Sequence, residues 1–322
     1  MTKSHDLGPS GHQAISGVLV VDKPEGPTSH DVVTLTRRAL GVSRIGHTGT
    51  LDPLATGVLS LVIGRATRLA QFLTASDKSY QATIAFGRTT DTYDAKGREV
   101  SVSPDRPTRA AVEAALRKFR GTFEQTPPAY SAKNIDGERS YDLARKAART
   151  AEARHATADV TARPKPVAVT ARQLEILAFD GETATLSMQV TAGFYVRALA
   201  YDLGEALGCG AVLIALRRTR SGEFGLESAV TLAEVLRSGR EHLAAKVVPM
   251  TALLTDLPSV RLRGQANVER LKNGVEMGPA DIVAPLGDTA PLVRLLGPEG
   301  DLVGLAKPAK APGFLHGWVV LG

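Results

Sequence analysis

Two apolar runs near the start of the chain place the strongest constraint on its fold. The first run, GVLVVDK at 17–23, stops at Pro24, and the second covers 58–63. Short runs rich in β-branched residues are typical of buried strands, and proline cannot donate a hydrogen bond to a sheet ladder. The sequence therefore predicts two buried strands, with only about 35 residues between them.

The residues between these strands predict a helix followed by a loop. Thr28 or Ser29 can cap the helix, and Gly41 is placed to end it. One face of the helix is apolar and consists of Val32, Val33, Leu35, Ala39 and Leu40. Segment 43–57 is then a glycine-rich loop that carries Asp52. Loops held by rigid elements commonly carry catalytic or binding residues, so we expect such residues in this segment.

Later patterns decide between two fold classes. Strands are predicted at 80–86, 167–178 and 182–191, and helices at 110–120 and 195–207. The strands and helices are interspersed without a regular strand, helix, strand rhythm. This arrangement favours an α+β fold over a doubly wound α/β fold.

Turn signals indicate a second, smaller domain at the C-terminal end. Prolines suggest a boundary between 250 and 257, and short strand-like runs follow at 292–296, 302–306 and 315–321. We therefore divide the chain into a polar tail at 1–16, a main domain at 17–250 and a small β-rich domain at 251–322.

The charge distribution predicts an anionic partner for the main domain. The chain has 39 Lys and Arg against 33 Asp and Glu, and the excess lies before residue 256, because 256–322 holds seven of each. Prolines flank a segment at about 127–166, which predicts a surface insertion with a short basic helix. A solvated helix face and a phosphate-binding surface both explain this basic cluster.

Several classes of protein are disfavoured by the residues present. The one cysteine, Cys209, excludes an intrachain disulfide and any multi-thiolate metal site, and we expect it to be a small buried side chain. The seven histidines form no metal-binding pair spacing. Neither a membrane span nor a secretory signal is readable. We expect a cytoplasmic protein without a metal.

Three motifs identify a family. They are RIGHTGTLDPLATG at 44–57, KSYQA at 78–82 and GFYVR at 193–197. Further matches are DKPEGPTS at 22–29, QTPPAYSAK at 125–133 and LRRTRSG at 216–222. In this order and spacing they resemble the bacterial tRNA pseudouridine-55 synthases of the TruB type, over about 17–225. One departure is Phe194, where the family usually has threonine.

The resemblance implies a fold, a reaction and a partner. The fold would be a mixed, mainly antiparallel sheet with flanking helices, followed by a small PUA-like RNA-binding domain. The reaction would convert the uridine at position 55 in the TΨC loop of tRNA to pseudouridine. It would detach uracil from C1′, rotate it and rejoin it through C5, and no cofactor or group donor is needed. The partner would be the T-arm stem-loop of tRNA, bound by a monomeric enzyme.

The resemblance also assigns roles to six residues. Asp52 matches the family's nucleophile, although alone it would read as an ordinary Asp-Pro turn. Arg197 matches the arginine that pairs with it, and a guanidinium beside a carboxylate favours the ionised form. Its alternative is a helix residue that extends to solvent. The four remaining residues would contact RNA: Tyr80, Tyr195 and Leu216 at the target base, and His47 where that base has left its stack.

Other functions stay open at this point. A guide-RNA-dependent relative of archaea and eukaryotes would need partner proteins. A non-catalytic tRNA-binding factor that assists RNA folding would not need a buried carboxylate. An enzyme for a small phosphorylated metabolite would need a phosphate-binding motif, and none is recognisable.

Overall fold

The protein is an α+β molecule built on one large sheet. The structure is a computed structural model that describes residues 15–128, 165–283 and 290–321, with the backbone of the short strands β8 (Asn134–Ile135) and β9 (Glu138–Arg139). Eleven strands of the described residues form the large sheet, and four form a second sheet near the C-terminal end. Most strand pairs in the large sheet are antiparallel. The predicted fold class is confirmed.

The large sheet has a main path of eight strands among the described residues. They are β1 (Gly17–Lys23), β3 (Ala55–Ile63), β4 (Lys78–Phe86), β7 (Gly121–Gln125), β10 (Val167–Phe179), β11 (Thr183–Val190), β12 (Ala211–Ser221) and β14 (Val230–Thr231). Their order across the sheet is β14, β1, β3, β12, β4, β11, β10, β7. Three short strands pair beside this path: β2 (Ile45–His47), β13 (Phe224–Gly225) and β15 (Val248–Pro249). A separate hairpin consists of β5 (Arg88–Thr90) and β6 (Glu99–Val102).

Five helices cover one face of this sheet: α1 (Ser29–Leu40), α3 (Arg109–Leu116), α4 (Val196–Leu207), α5 (Leu232–Arg237) and α6 (Arg240–Ala245). Helix α2 (Ala70–Thr74) lies on the opposite face, where its Leu73 belongs to the same core as Val18 and Val20 of β1, and α7 (Gly264–Lys272) lies beyond the sheet. Thr28 caps α1 by accepting from Asp31 N, and the left-handed Gly41 ends it. The larger core contains Leu19 and Val21 of β1 together with Val33 of α1.

The opposite face of the sheet packs against the C-terminal sheet. Because side chains alternate along a strand, Val18 and Val20 of β1 point away from the helices. They join a second core with Leu302 and Leu305 of the C-terminal sheet. That sheet has the order β16 (Ser259–Arg261), β17 (Val293–Leu296), β18 (Leu302–Pro308), β19 (Leu315–Val320). Strand β1 is therefore buried on both faces, as its unbroken apolar run indicates.

Comparison with the sequence predictions gives one correction and several elements that were not predicted, of which β12 is the longest strand. Segment 43–57 is not wholly a loop, because β2 lies within it and β3 begins at Ala55. Strand β12 was not predicted, since its second half carries four polar residues, Arg217 to Arg220. The basic insertion at about 127–166 lies almost entirely outside the described residues. Cys209 is buried, as expected.

Strands β3 and β12 approach each other closely at Gly57. This glycine has φ of 99°, and a Cβ there would lie 2.1 Å from the carbonyl oxygen of Arg218. Both features exclude a side chain, because a left-handed backbone and a van der Waals overlap each cost free energy. The start of β3, directly after the Asp52 loop, therefore packs against the backbone of β12 without room for a side chain at residue 57.

We predict that Gly57→Ala lowers the free energy of unfolding by about 3 kcal/mol or more, since strain and overlap add. The matched control is Gly41→Ala, where φ is 60° but a Cβ meets open space. There we expect a loss of about 1 kcal/mol from backbone strain alone. Urea unfolding measures both. Equal losses would mean that the approach of the two strands does not constrain residue 57.

Candidate active site

Asp52 sits on a loop that is fixed from both sides. The Ser29 hydroxyl at the start of α1 donates to Leu51 O at 2.9 Å and accepts from Leu51 N at 2.8 Å. Gly26 N donates to Pro53 O at 2.9 Å. The residues directly before and after Asp52 are therefore both anchored, which limits the positions that its carboxylate can reach.

Arg197 forms an ion pair with Asp52. Its Nε lies 2.9 Å from Asp52 Oδ2, and the Arg197 side chain is 9% exposed whereas the Asp52 side chain is 38% exposed. Arg197 lies in the first turn of α4. The alternative in which this side chain extends to solvent is wrong, because the guanidinium is buried against the sheet. A buried cation thus holds a carboxylate that remains open to solvent.

A second carboxylate contacts the same guanidinium. Asp94 Oδ2 lies 3.8 Å from Arg197 Nε, and Arg197 Nη1 donates to Thr92 O at 3.0 Å. The Asp94 carboxylate is itself held, since its Oδ1 accepts from the Thr92 hydroxyl at 2.9 Å and from Lys96 N at 3.0 Å. The loop between β5 and β6 therefore contacts the Arg197 guanidinium through a backbone carbonyl and a carboxylate.

Gln125 at the end of β7 fixes the start of α4. Its side-chain amide donates to Tyr195 O at 3.0 Å and accepts from Tyr195 N at 2.8 Å. Gln125 is fully buried. Next to it, Phe194 packs edge to face on Phe123 of β7, with ring centroids 5.9 Å apart. The departure at Phe194 is therefore accommodated by an aromatic contact, and Tyr195 is held two residues before Arg197.

Tyr80 and His47 lie on two strands of the large sheet, Tyr80 on its main path and His47 on the short strand β2 beside it. Tyr80 of β4 is buried and stands in register with Arg218 of β12. His47 ends β2, and its Nδ1 accepts weakly from Gly49 N at 3.4 Å. Burial lowers the pKa of His47, and the positive charge of Arg218 lowers it further. His47 is thus neutral at pH 7.

Leu216 lines a cavity whose lining does not include the Asp52–Arg197 ion pair. The cavity has a volume of about 250 Å³ and is lined by Glu25, Leu54, Thr56, Gln81, Thr83, Thr185, Ile214, Ala215, Leu216 and Arg217. Gln81 and Thr83 point to the other face of β4 from the buried Tyr80, whereas Leu216 stands in register with Ala82 on the Tyr80 face. Asp52 and Arg197 are not among its lining residues.

Two further buried cations lie around the Asp52 loop. Arg218 donates to Gly49 O at 3.0 Å and to Val58 O at 2.7 Å. Lys23 Nζ donates to Ala55 O at 2.7 Å, and burial lowers the Lys23 pKa to about 8, although the Asp52 charge opposes this lowering. The loop of the candidate nucleophile is therefore surrounded by positive charge.

Three residues of this site were not found by sequence reasoning alone. Asp94 and Lys23 carry no local signal for a role beside Asp52, because only the fold brings them together. Gln125 lies in a motif that supported the family resemblance, but its contact with Tyr195 joins positions 70 residues apart. Among the described residues, no group of three or more His, Cys, Asp or Glu side chains is placed to hold a metal ion. No described helix has the length and apolar character of a membrane span.

Known proteins match almost the whole chain. Residues 37–196 match the family model described as TruB family pseudouridylate synthase (N terminal domain). Residues 197–255 match the tRNA pseudouridylate synthase B C-terminal domain. The tRNA pseudouridine synthase B of Solibacter usitatus is 41% identical over 309 residues, which are 95% of this chain and 100% of that protein. The corresponding protein of Pseudomonas fluorescens is 38% identical and covers 92% of each chain.

Solved structures show the same fold. A chain from a structure titled "Crystal Structure of a Cbf5-Nop10-Gar1 Complex" superposes with a TM-score of 0.71 at 24% identity, over 100% of this chain and 92% of that one. A chain from an H/ACA RNP bound to a substrate RNA gives a TM-score of 0.70 at 23% identity, over 100% and 92% of the two chains. The two family-model matches and the 41% identity to the Solibacter usitatus protein over 95% of this chain show that the chain belongs to the TruB family of pseudouridylate synthases.

Proposed function

We propose that this protein is a tRNA pseudouridine synthase that isomerises the uridine at position 55 in the TΨC loop, with Asp52 as the nucleophile. The observation that carries the proposal is the ion pair in which a buried arginine, Arg197, holds a partly exposed carboxylate. Relatives that match 95% and 92% of the chain are named tRNA pseudouridine synthase B, which supports tRNA as the substrate.

The ion pair suits a carboxylate nucleophile for a physical reason. A nucleophilic aspartate must be ionised and must point at one atom of the substrate. The adjacent guanidinium lies against one oxygen of the carboxylate, and its rigid fork fixes the direction of the carboxylate oxygens. Asp52 Oδ2 contacts Arg197, so Oδ1 is the oxygen left for the substrate. The Asp52 carboxylate would act in each of three possible routes for the target uridine: attack on C1′, attack on C6, or a route through a glycal.

The remaining predicted residues suit an extruded base. An enzyme that acts on a stacked base must remove it from the stack at a cost of a few kcal/mol. We propose that neutral His47 lies against the RNA where the base has left, and that Tyr80 and Tyr195 contact the uracil. Leu216 stands in register with Ala82 of β4, on the same face of the sheet as Tyr80, and this supports an apolar wall for the base.

The rest of the substrate would bind by shape and charge. The excess of Lys and Arg before residue 256 supports phosphate contacts by the main domain. The C-terminal sheet packs directly on β1 through the second core, so a PUA-like domain at 251–322 would move with the catalytic sheet. We propose that a monomer takes up the T-arm stem-loop of tRNA across both parts.

The function is tested with unmodified tRNA and the purified protein alone. Sequencing after carbodiimide treatment is expected to find pseudouridine at position 55 and nowhere else in the transcript. Modification elsewhere would contradict the assigned position. Modification only after partner proteins and a guide RNA are added would instead identify a guide-dependent enzyme. Binding of tRNA without any modification would identify a non-catalytic RNA-binding factor.

We predict that Asp52→Asn abolishes pseudouridine formation and leaves tRNA affinity within about tenfold, because it removes charge but little volume. The control is Asp105→Asn, an exposed carboxylate outside the site, which should keep the activity of the unchanged protein. Single-turnover rates and filter binding measure the two quantities. Joint loss of rate and binding in Asp52→Asn would mean that Asp52 is structural.

We predict that Asp94→Asn slows the single-turnover rate on the order of tenfold, about 1.4 kcal/mol in the barrier, because Arg197 loses one of its two carboxylate partners. The tRNA affinity should stay unchanged. Asp91→Asn is the matched control in the same loop, since Asp91 pairs with Arg98 and its Oδ1 accepts from Arg98 N. Equal effects of the two variants would show that loop order, rather than the contact with Arg197, controls the rate.

A further inference from the structure

Tyr93 has an unusual backbone conformation in the loop that supports Arg197. Its φ is 64°, in the left-handed region that favours glycine. A bulky residue held there is strained, and such strain persists only where the surroundings impose it. The neighbours of Tyr93 in the chain are Thr92 and Asp94, and both contact the Arg197 guanidinium.

The Tyr93 ring stacks on Tyr201 of helix α4. The ring centroids are 4.1 Å apart and the planes are inclined by 20°. Tyr201 follows Arg197 by four residues on the same helix, so the two side chains lie on one face, one turn apart. The helix therefore presents a guanidinium and an aromatic ring to the same loop.

The left-handed backbone explains how three consecutive residues reach one helix face. In an extended segment, adjacent side chains point to opposite sides. Here the Tyr93 ring and the Asp94 carboxylate both reach α4, together with the carbonyl of Thr92. The positive φ at Tyr93 breaks the alternation at the point where both contacts require it.

The other side of this loop is bonded to strand β12. Leu213 N donates to Tyr93 O at 3.1 Å, and Ala95 N donates to Leu213 O at 2.9 Å. The Thr90 hydroxyl donates to Asp94 O at 2.7 Å. The loop is thus fixed between the large sheet and α4. It contacts the helix through Arg197 and, in addition, through the stack of Tyr93 on Tyr201.

We infer that Tyr93 and Tyr201 are a positioning pair that sets the place of Arg197, and through it the direction of the Asp52 carboxylate. The stack fixes the distance between loop and helix at which the guanidinium reaches Thr92, Asp94 and Asp52 together. This inference rests on the proposed function. Neither tyrosine touches the substrate, and both act through Arg197.

The test separates positioning from simple packing with three variants. Tyr201→Ala removes the stack, and Tyr201→Phe keeps an aromatic ring. Tyr93→Gly removes the other ring and suits the left-handed backbone, so it avoids added strain. The readouts are the single-turnover rate at saturating tRNA, the tRNA dissociation constant and the urea midpoint of unfolding.

We expect Tyr201→Ala and Tyr93→Gly to slow the single-turnover rate by about tenfold or more, since small displacements of a catalytic group have large effects. Their tRNA dissociation constants should stay within about threefold, and Tyr201→Phe should keep the rate within about threefold. In an Asp94→Asn background, Tyr201→Ala should slow the single-turnover rate by a smaller factor than it does in the unchanged protein, because both changes act on Arg197.

Three results would overturn the inference while leaving the proposed function intact. The first is an unchanged single-turnover rate in both Tyr201→Ala and Tyr93→Gly. The second is a change confined to the tRNA dissociation constant or the urea midpoint of unfolding. The third is a decrease in rate in Tyr201→Phe equal to that in Tyr201→Ala. Full additivity with Asp94→Asn would likewise overturn action through Arg197. Absence of pseudouridine formation by the unchanged protein would overturn the proposed function, and the inference with it.

Discussion

A buried cation organises the candidate site. Arg197 is nearly inaccessible to water, and a buried charge without partners costs several kcal/mol. Its partners come from two places far apart in the chain, Asp52 and the loop at 92–94. Each of these is held by a separate anchor, Ser29 for the first and strand β12 for the second. The fold therefore brings three distant segments together around one guanidinium.

Two other buried cations have their hydrogen-bond donors satisfied in a different way. Lys23 and Arg218 donate to main-chain carbonyls instead of carboxylates. Carbonyl oxygens satisfy the donors but carry no net charge, so the field of both cations extends towards the Asp52 loop. For Lys23 the burial is costly enough to lower its pKa to about 8. The charge surrounding Asp52 thus comes from the sheet as well as from Arg197.

Sequence patterns were sufficient where the structure depends on local rules. The apolar run of β1, the capping residue Thr28 and the left-handed Gly41 all act within a few residues, so they could be read directly. Strand β12 was missed because its polar half lies in the centre of the sheet, where Arg218 is buried by contacts with other strands. Asp94 was missed because its role exists only through a contact across 103 positions with Arg197. The pairing of Asp52 with Arg197 was expected from family motifs, not from any periodicity.

The contact between Gln125 and Tyr195 limits the chemistry of residue 125. By accepting from Tyr195 N and donating to Tyr195 O, the side-chain amide imitates the peptide group of a neighbouring strand. Few side chains present a donor and an acceptor at this separation. Glutamate has the same shape, but its ionised carboxylate would face the Tyr195 carbonyl oxygen, and methionine would leave two buried polar groups unsatisfied. The junction between sheet and helix therefore accepts an amide where shape alone would admit several residues.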